Sequence, residues 1–312
     1  MKVVLTGATG FVGSHVLAEL QEHGHEVTAL IRDDADADLV AARGATPAVV
    51  DLYDRPTVVT LLRDADGAIH TASPGDATSA ELDSAVVDAA IEAFEGTGRP
   101  YIQISGLWIY GPNSSISEDS PPNAPAFVAW KEPIERRVLN AKEMRGVVIV
   151  SSVAYGDGGG AIPGLLLGSP RDETGNLVML GTGRQHWSTV HVADLAEFFR
   201  RVLEDVSARG RYVVGDGTNP TVAELTEAAA VAVGAPGAVP GSDDEARARL
   251  GDYFAAAGVR ARRAPRLRRA LPSARRRPCS RSSTWTSPCR PSGCGRPARA
   301  APGRSRAARR EA

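Results

Sequence analysis

The stretch Thr6-Gly7-Ala8-Thr9-Gly10-Phe11-Val12-Gly13 lies between a short apolar run, residues 2–6, and an amphipathic segment, residues 11–23. A strand that turns through three glycines into a helix is the geometry that cradles a pyrophosphate. Gly7 permits the tight turn, Gly10 lets the backbone approach the phosphates, and Gly13 lets the helix pack closely. Thr9, Phe11 and Val12 complete the turn and the first helical residues, whose free N–H groups lie at the positive end of the helix dipole. A glycine-rich turn without a ligand is the plainer reading. The strand before it and the helix after it favour a dinucleotide.

Outward from this turn, β-rich runs alternate with longer amphipathic segments, the pattern of a parallel sheet with crossover helices. Strands are predicted at residues 2–6, 26–31, 45–50, 67–71, 101–105, 147–150 and 211–214, and helices at 11–23, 35–43, 55–63, 79–95, 126–141, 192–203 and 222–233. Gly24 and Gly96 follow two of these as helix stops. Residues 147–150 are apolar throughout, as in a strand covered on both faces. Residues 151–180 turn to Gly, Pro and loop signals. The fold class is α/β, a Rossmann-type doubly wound parallel sheet with a small C-terminal substrate lobe. The predicted body is residues 1–257, with the lobe interleaved at roughly 156–186 and 216–257, and no internal repeat.

The chain has 312 residues, 43% hydrophobic and 23% charged, ordinary for a globular protein. No apolar run reaches the roughly 20 residues of a membrane span, and residues 1–11 lack a signal-peptide pattern. The expectation is a cytoplasmic protein acting on a small molecule, as a monomer or a homodimer. Its net charge of −1 hides a segregation: residues 258–312 hold 17 Arg, no Lys and one acid, leaving the body at −17. All three cysteines, Cys279, Cys289 and Cys294, lie in that tail. No Cys/His cluster has metal-ligand spacing, so no metal is predicted. The tail cannot bury enough apolar surface to offset its chain entropy, which predicts disorder. Lys, Asn, Ile, Met, Phe and Tyr are absent after Gly258, and the residues that replace them come largely from GC-rich codons. This composition raises the reading that the tail is translated out of frame. A basic arm for nucleic acid is the rival, without any recognisable module.

The second strand ends Leu30-Ile31-Arg32-Asp33. An acid there would bond the ribose 2′-hydroxyl of NAD, whereas an Arg accommodates the 2′-phosphate of NADP. Arg32 favours NADP; Asp33 argues for NAD, and a solvated charge is the bland reading of Arg32.

With its Gly7-x-x-Gly10-x-x-Gly13 spacing the chain resembles an extended or atypical short-chain dehydrogenase/reductase of the NAD-dependent epimerase/dehydratase group. Asp51-Leu52 resembles the pair flanking adenine, and His70-Thr71-Ala72-Ser73 the loop beneath the cofactor. The segment 104–111, Ile-Ser-Gly-Leu-Trp-Ile-Tyr-Gly, resembles the one that supplies an active-site Ser or Thr. Residues 187–196 resemble the segment where the chain returns to the core. The resemblance implies cofactor contacts at Gly7, Thr9, Gly10, Phe11, Val12, Gly13, Arg32, Asp51, Leu52, Thr71, Ala72, Ser73 and Lys131.

The departures concern catalysis. The family's Tyr-x-x-x-Lys pair lies on one helix face; the Lys binds the nicotinamide ribose, and the Tyr exchanges a proton with substrate. Here the match is Phe127-Val128-Ala129-Trp130-Lys131, so the Lys is present and a phenyl ring fills the Tyr slot. Ser105 falls one residue early, with Gly106 where relatives place the hydroxyl. The catalytic candidates are Lys131, Ser105 and Tyr110; for Lys131 alone a solvated lysine is the bland reading. Tyr110 and Tyr155 read equally as packing residues, His186 as lining a substrate loop and His191 as bonding within the core. His15, His23 and His25 read as surface or packing residues. The leading function is an NADP-dependent oxidoreductase or epimerase-like enzyme for a carbonyl, secondary alcohol or sugar-type substrate. The alternative, which Phe127 favours, is a catalytically silent NAD(P)-binding sensor or scaffold.

Overall fold

Apolar runs joined by crossover helices give parallel strands, because a helix returns the chain to the same edge of the sheet. The strands are β1 (Lys2–Thr6), β2 (Glu26–Ile31), β3 (Thr46–Val49), β4 (Gly67–His70), β5 (Pro100–Gly106), β6 (Arg145–Ser151), β7 (Val153–Tyr155), β8 (Leu177–Val178), β9 (Thr189–His191), β10 (Gly210–Val214) and β11 (Ala238–Val239). The helices are α1 (Phe11–Glu22), α2 (Ala37–Ala41), α3 (Arg55–Arg63), α4 (Ser79–Phe94), α5 (Lys131–Asn140), α6 (Ala161–Leu167), α7 (Val192–Glu204), α8 (Val222–Ala232) and α9 (Asp243–Leu250). This computed structural model describes residues 1–111, 113 and 115–251. The expectations for residues 258–312 lie outside the described residues.

Seven strands form one sheet in the order β10-β6-β5-β4-β1-β2-β3, all parallel. Chain order reverses between β1 and β4, the switch point where open α/β sheets bind ligands at the carboxyl ends of their strands. Alternation along β1 shows how the sheet is sandwiched. Val3 and Leu5 face one core with α1 and α7, and Val4 faces the other with α3, α4 and α5. Val147 to Val150 are fully buried, as a strand covered on both faces requires. A third core gathers Leu166, Leu177, Leu180, Trp187, Val222, Ala229 and Ala246 from α6, β8, α8, α9 and the segment before β9.

Two predicted helices differ from the structure. Residues 35–43 divide into a 3-10 turn, Asp34–Asp36, and the short α2. Residues 126–141 divide into a 3-10 turn, Ala126–Val128, and α5, which begins at Lys131. Pro133 explains the second break: it lacks an N–H and is tolerated only in a first turn, so α5 starts just before it. The segment from Phe127 to Lys131 is therefore a 3-10 turn leading into α5, with Ala129 and Trp130 still in the right-handed helical region.

Gly24 and Gly96 both adopt positive φ after their helices, at 76° and 77°. At the far end of α7, the buried Arg145 guanidinium on β6 donates to the carbonyl oxygens of Val202, Leu203 and Asp205 at 2.6–2.9 Å. No helix among the described residues is long and apolar enough to cross a membrane.

Candidate active site

The turn after β1 is built on contacts that only glycine allows. Gly7 has φ +75°, and a Cβ there would lie 2.6 Å from the Ala72 backbone nitrogen. A Cβ on Gly13 would lie 2.0 Å from the Gly7 carbonyl oxygen. Gly13 thus serves the closeness of the turn to its own helix. Gly10 donates to the Gly7 carbonyl at 3.0 Å and accepts from the Ser14 N–H at 2.9 Å. No side chain caps α1, and its first turn holds no acidic residue. An open helix N-terminus above a cradle that any Cβ would fill fits a pyrophosphate. Phe11 flanks the turn; its ring occupies the space where a Cβ on Gly159 would stand, at 2.6 Å. The loop behind it is tied down by His15, whose Nε2 lies 3.0 Å from Asp157 Oδ2. Thr9 is exposed, and Val12 is half-buried against the α1 core.

Around this turn the carboxyl ends of neighbouring strands gather. Arg32, beyond β2, is exposed. Asp33 beside it accepts the Ala35 N–H at 2.9 Å and caps the following 3-10 turn. Beyond β3, Asp51 accepts the Tyr53 N–H at 3.0 Å, and Leu52 packs against the core. Beyond β4, the Thr71 hydroxyl donates to the Thr6 carbonyl at 2.7 Å, and Ala72 abuts Gly7. The Ser73 hydroxyl reaches Ser79 at 3.4 Å.

At the start of α5, Lys131 Nζ pairs with Asp83 Oδ2 at 3.3 Å and stands 4.3 Å from the centre of the Trp130 ring. Asp83 lies on the buried stripe of α4. It also accepts from Gln103 Nε2 at 3.0 Å and from His70 Nε2 at 3.2 Å. Burial pushes its carboxyl up, but the hydrogen bond and charge of His70, followed by the Lys131 ammonium, outweigh this and hold it below the usual range. Phe127 is half-buried and meets Trp108 edge-on, with ring centres 5.8 Å apart. A Cβ on Gly106 would meet nothing within 4 Å.

The other candidates point elsewhere. The Ser105 hydroxyl donates to Glu135 on α5, whose second oxygen accepts from Arg211. Tyr110 is buried; burial pushes its phenol up to about 12, against the opposing charge of Arg211 and with help from the Glu135 and Glu118 carboxylates. The Tyr155 hydroxyl reaches Asp216 at 3.5 Å, and its ring meets His191 edge-on. His191 accepts the Ala193 N–H and caps α7. His186 donates to the Asn219 carbonyl at 2.8 Å. His25 is buried, which is the packing alternative, and lies 3.0 Å from Glu204. Among the described residues no cluster of His, Cys, Asp or Glu is placed to hold a metal ion.

Sequence reasoning missed Asp83, Gln103, Glu135 and Arg211. The signal for the first was legible: Asp83 shares the helical stripe of Ser79, Val86, Val87, Ala90 and Phe94, where an acid needs buried partners.

Residues 3–215 match the sequence profile of the NAD dependent epimerase/dehydratase family. An uncharacterized protein of Schizosaccharomyces pombe, C2A9.02, is 30% identical over 220 residues, covering 68% of this chain and 74% of that protein. The 4-hydroxy-2-methyl-3-oxo-4-farnesyl-3,4-dihydroquinoline-1-oxide ketoreductase of Stigmatella aurantiaca is 27% identical over 300 residues, covering 87% and 86%. Among solved structures, the human epimerase family protein SDR39U1 (isoform 2) with NADPH superposes with a TM-score of 0.63. It is 22% identical, and the match covers 81% of this chain and 88% of that one.

Proposed function

The chain belongs to the NAD dependent epimerase/dehydratase family, and from that premise we propose that it is an NADP-linked reductase of apolar ketones or the matching secondary alcohols. That it is an NAD(P)-dependent enzyme follows from the family; the phosphate on the ribose and the substrate class are our reading.

The observation that carries the reading is the division of labour between Lys131 and Phe127. Lys131 has a charged partner beneath it, and an ammonium carries N–H groups enough to reach a ribose hydroxyl and a substrate oxygen as well. Phe127 has no proton to give, and Ser105 spends its hydroxyl on Glu135. The proton that meets a carbonyl oxygen here comes from Lys131 Nζ, directly or through a water it holds. A bound nicotinamide would supply or accept the hydride. Trp108 and Phe127 make an apolar wall, and Gly106 leaves room beside it, which suits a ketone with apolar flanks better than a sugar. The Stigmatella relative, named as a ketoreductase, supports the reductive direction.

For the cofactor, Asp33 is already occupied in capping the 3-10 turn, while Arg32 is exposed at the strand end. Gly7, Gly10, Gly13, Thr71 and Ala72 would hold the pyrophosphate side, with Asp51 and Leu52 at the adenine. Fluorescence titration should give NADPH about tenfold tighter than NADH, with the preference lost in Arg32→Ala. Equal affinities in the unmodified protein would remove the NADP assignment. Lys131→Met should lower turnover of an apolar ketone by about 10²-fold or more while the fold persists. A panel of such ketones with no turnover at all would leave a dinucleotide binder instead.

A further inference from the structure

Lys131 is linked through Asp83 and His70 to Thr6, at the start of the glycine turn after β1. Asp83, as a carboxylate, can only accept, so His70 donates from Nε2. The other ring nitrogen, Nδ1, shares a hydrogen bond with the Thr6 hydroxyl at 2.6 Å. The Thr6 oxygen accepts in turn from the Ala72 N–H at 3.4 Å, and the next residue is Gly7. His70 and Asp83 are 1% and 2% exposed. A carboxylate buried this far is costly unless its oxygens are satisfied. Here three donors converge on it: His70, Gln103 and Lys131. Such a network admits one arrangement, since moving any member strands another.

We propose that Asp83 and His70 are positioning residues that fix the Lys131 ammonium in one orientation and tie it to the phosphate turn through Thr6. The inference rests on the preceding section only in taking Lys131 to be the residue that meets the cofactor ribose. It assigns Asp83 and His70 no contact with substrate. With Phe127 in place of a phenol, the lysine's direction matters more, because no second proton-bearing group holds the substrate oxygen in register with it.

The chain has three lysines, Lys2, Lys131 and Lys142, which makes the test direct. In the full chain labelled with 13C-lysine, the two ε-methylene protons of Lys131 should resonate apart, as in a side chain held in one rotamer. Lys131→Arg assigns the signal. Asp83→Asn should collapse that splitting and weaken NADPH binding about tenfold. His70→Gln should do the same in part, although His70 does not touch Lys131. A purely local ion pair predicts no effect from His70. Should Asp83→Asn fail to fold, His70→Gln decides alone. An undiminished splitting, or NADPH affinity that stays constant while the splitting is lost, overturns the proposal. An unmodified chain with the splitting present but no affinity for NADPH would instead sink the function proposed above and leave the network intact.

Discussion

At the start of α1 no side chain caps the helix, whereas α8 and α9 each open with a complete capping box. Thr221 and Glu224 satisfy each other's backbone N–H groups before α8, and Ser242 and Glu245 do the same before α9. All three ends face the same shortage, since the first N–H groups of any helix lack partners within it. The chain closes two of them with its own side-chain oxygens and gives the third, at Gly10, no side-chain cap. α2, α4, α5 and α6 also lack a side-chain cap, so what sets the α1 end apart is the glycine cradle in front of it, where a Cβ on Gly7 or Gly13 would strike backbone.

The largest effect should come from filling the cradle. Gly13→Val drives a side chain into the Gly7 carbonyl, so NADPH binding should disappear in a titration and the melting temperature should fall. Retained binding would mean that the turn can open without loss, and the distinction between the two kinds of helix end would collapse. Next is closing the open end. Gly10 has an extended backbone, φ −75° and ψ 168°, and a Cβ there would meet only the Gly7 oxygen at 3.3 Å. Gly10→Asp should therefore cap α1, holding or raising the melting temperature while weakening NADPH by about 10- to 100-fold through competition and like charge. Both properties falling together would argue for simple damage. The smallest effect belongs to the capped ends. Thr221→Ala should cost about 1 kcal/mol of stability and leave NADPH affinity unchanged. The Glu224 carboxyl is held below its usual range by the Thr221 N–H first and hydroxyl second. A depressed folded value stabilises above the ordinary pKa and is lost as pH falls through the lowered one. The penalty of Glu224→Gln, measured by thermal melts, should accordingly be full at pH 7, begin to fade as pH falls below about 4.5, and disappear only beneath the lowered folded value.

The same contrast explains what could be read from residues alone. β1, β2 and α3 matched their predicted bounds, because periodicity and punctuation agree there. The smaller strands were invisible. β8 and β11 have two residues each, too few for any alternation, and α6 carries Pro163 and Gly164, which read as loop. Pro163 is admissible only because it falls in a first turn, which no periodicity reveals. At the site, the glycines and Lys131 were legible as a spaced motif. The buried place of Asp83 was signalled by the stripe of α4, but which groups it and Glu135 meet was not, because the contacts of Asp83 with His70 and of Glu135 with Ser105 span 13 and 30 residues and depend on two layers meeting. Ser105 read as a free hydroxyl because sequence cannot show which face of β5 it takes.

Arg145 carries a consequence in time. Its guanidinium closes the C-terminal end of α7 across 57 to 60 residues of intervening chain. Until β6 is in place the last carbonyls of α7 have no such donor, and until α7 is complete Arg145 has no carbonyls to receive its charge. Neither element gains its full protection without the other. Amide hydrogens of β6 and α7 should exchange at matching rates, as one cooperative unit. In Arg145→Leu the end of α7 should begin to exchange ahead of the sheet.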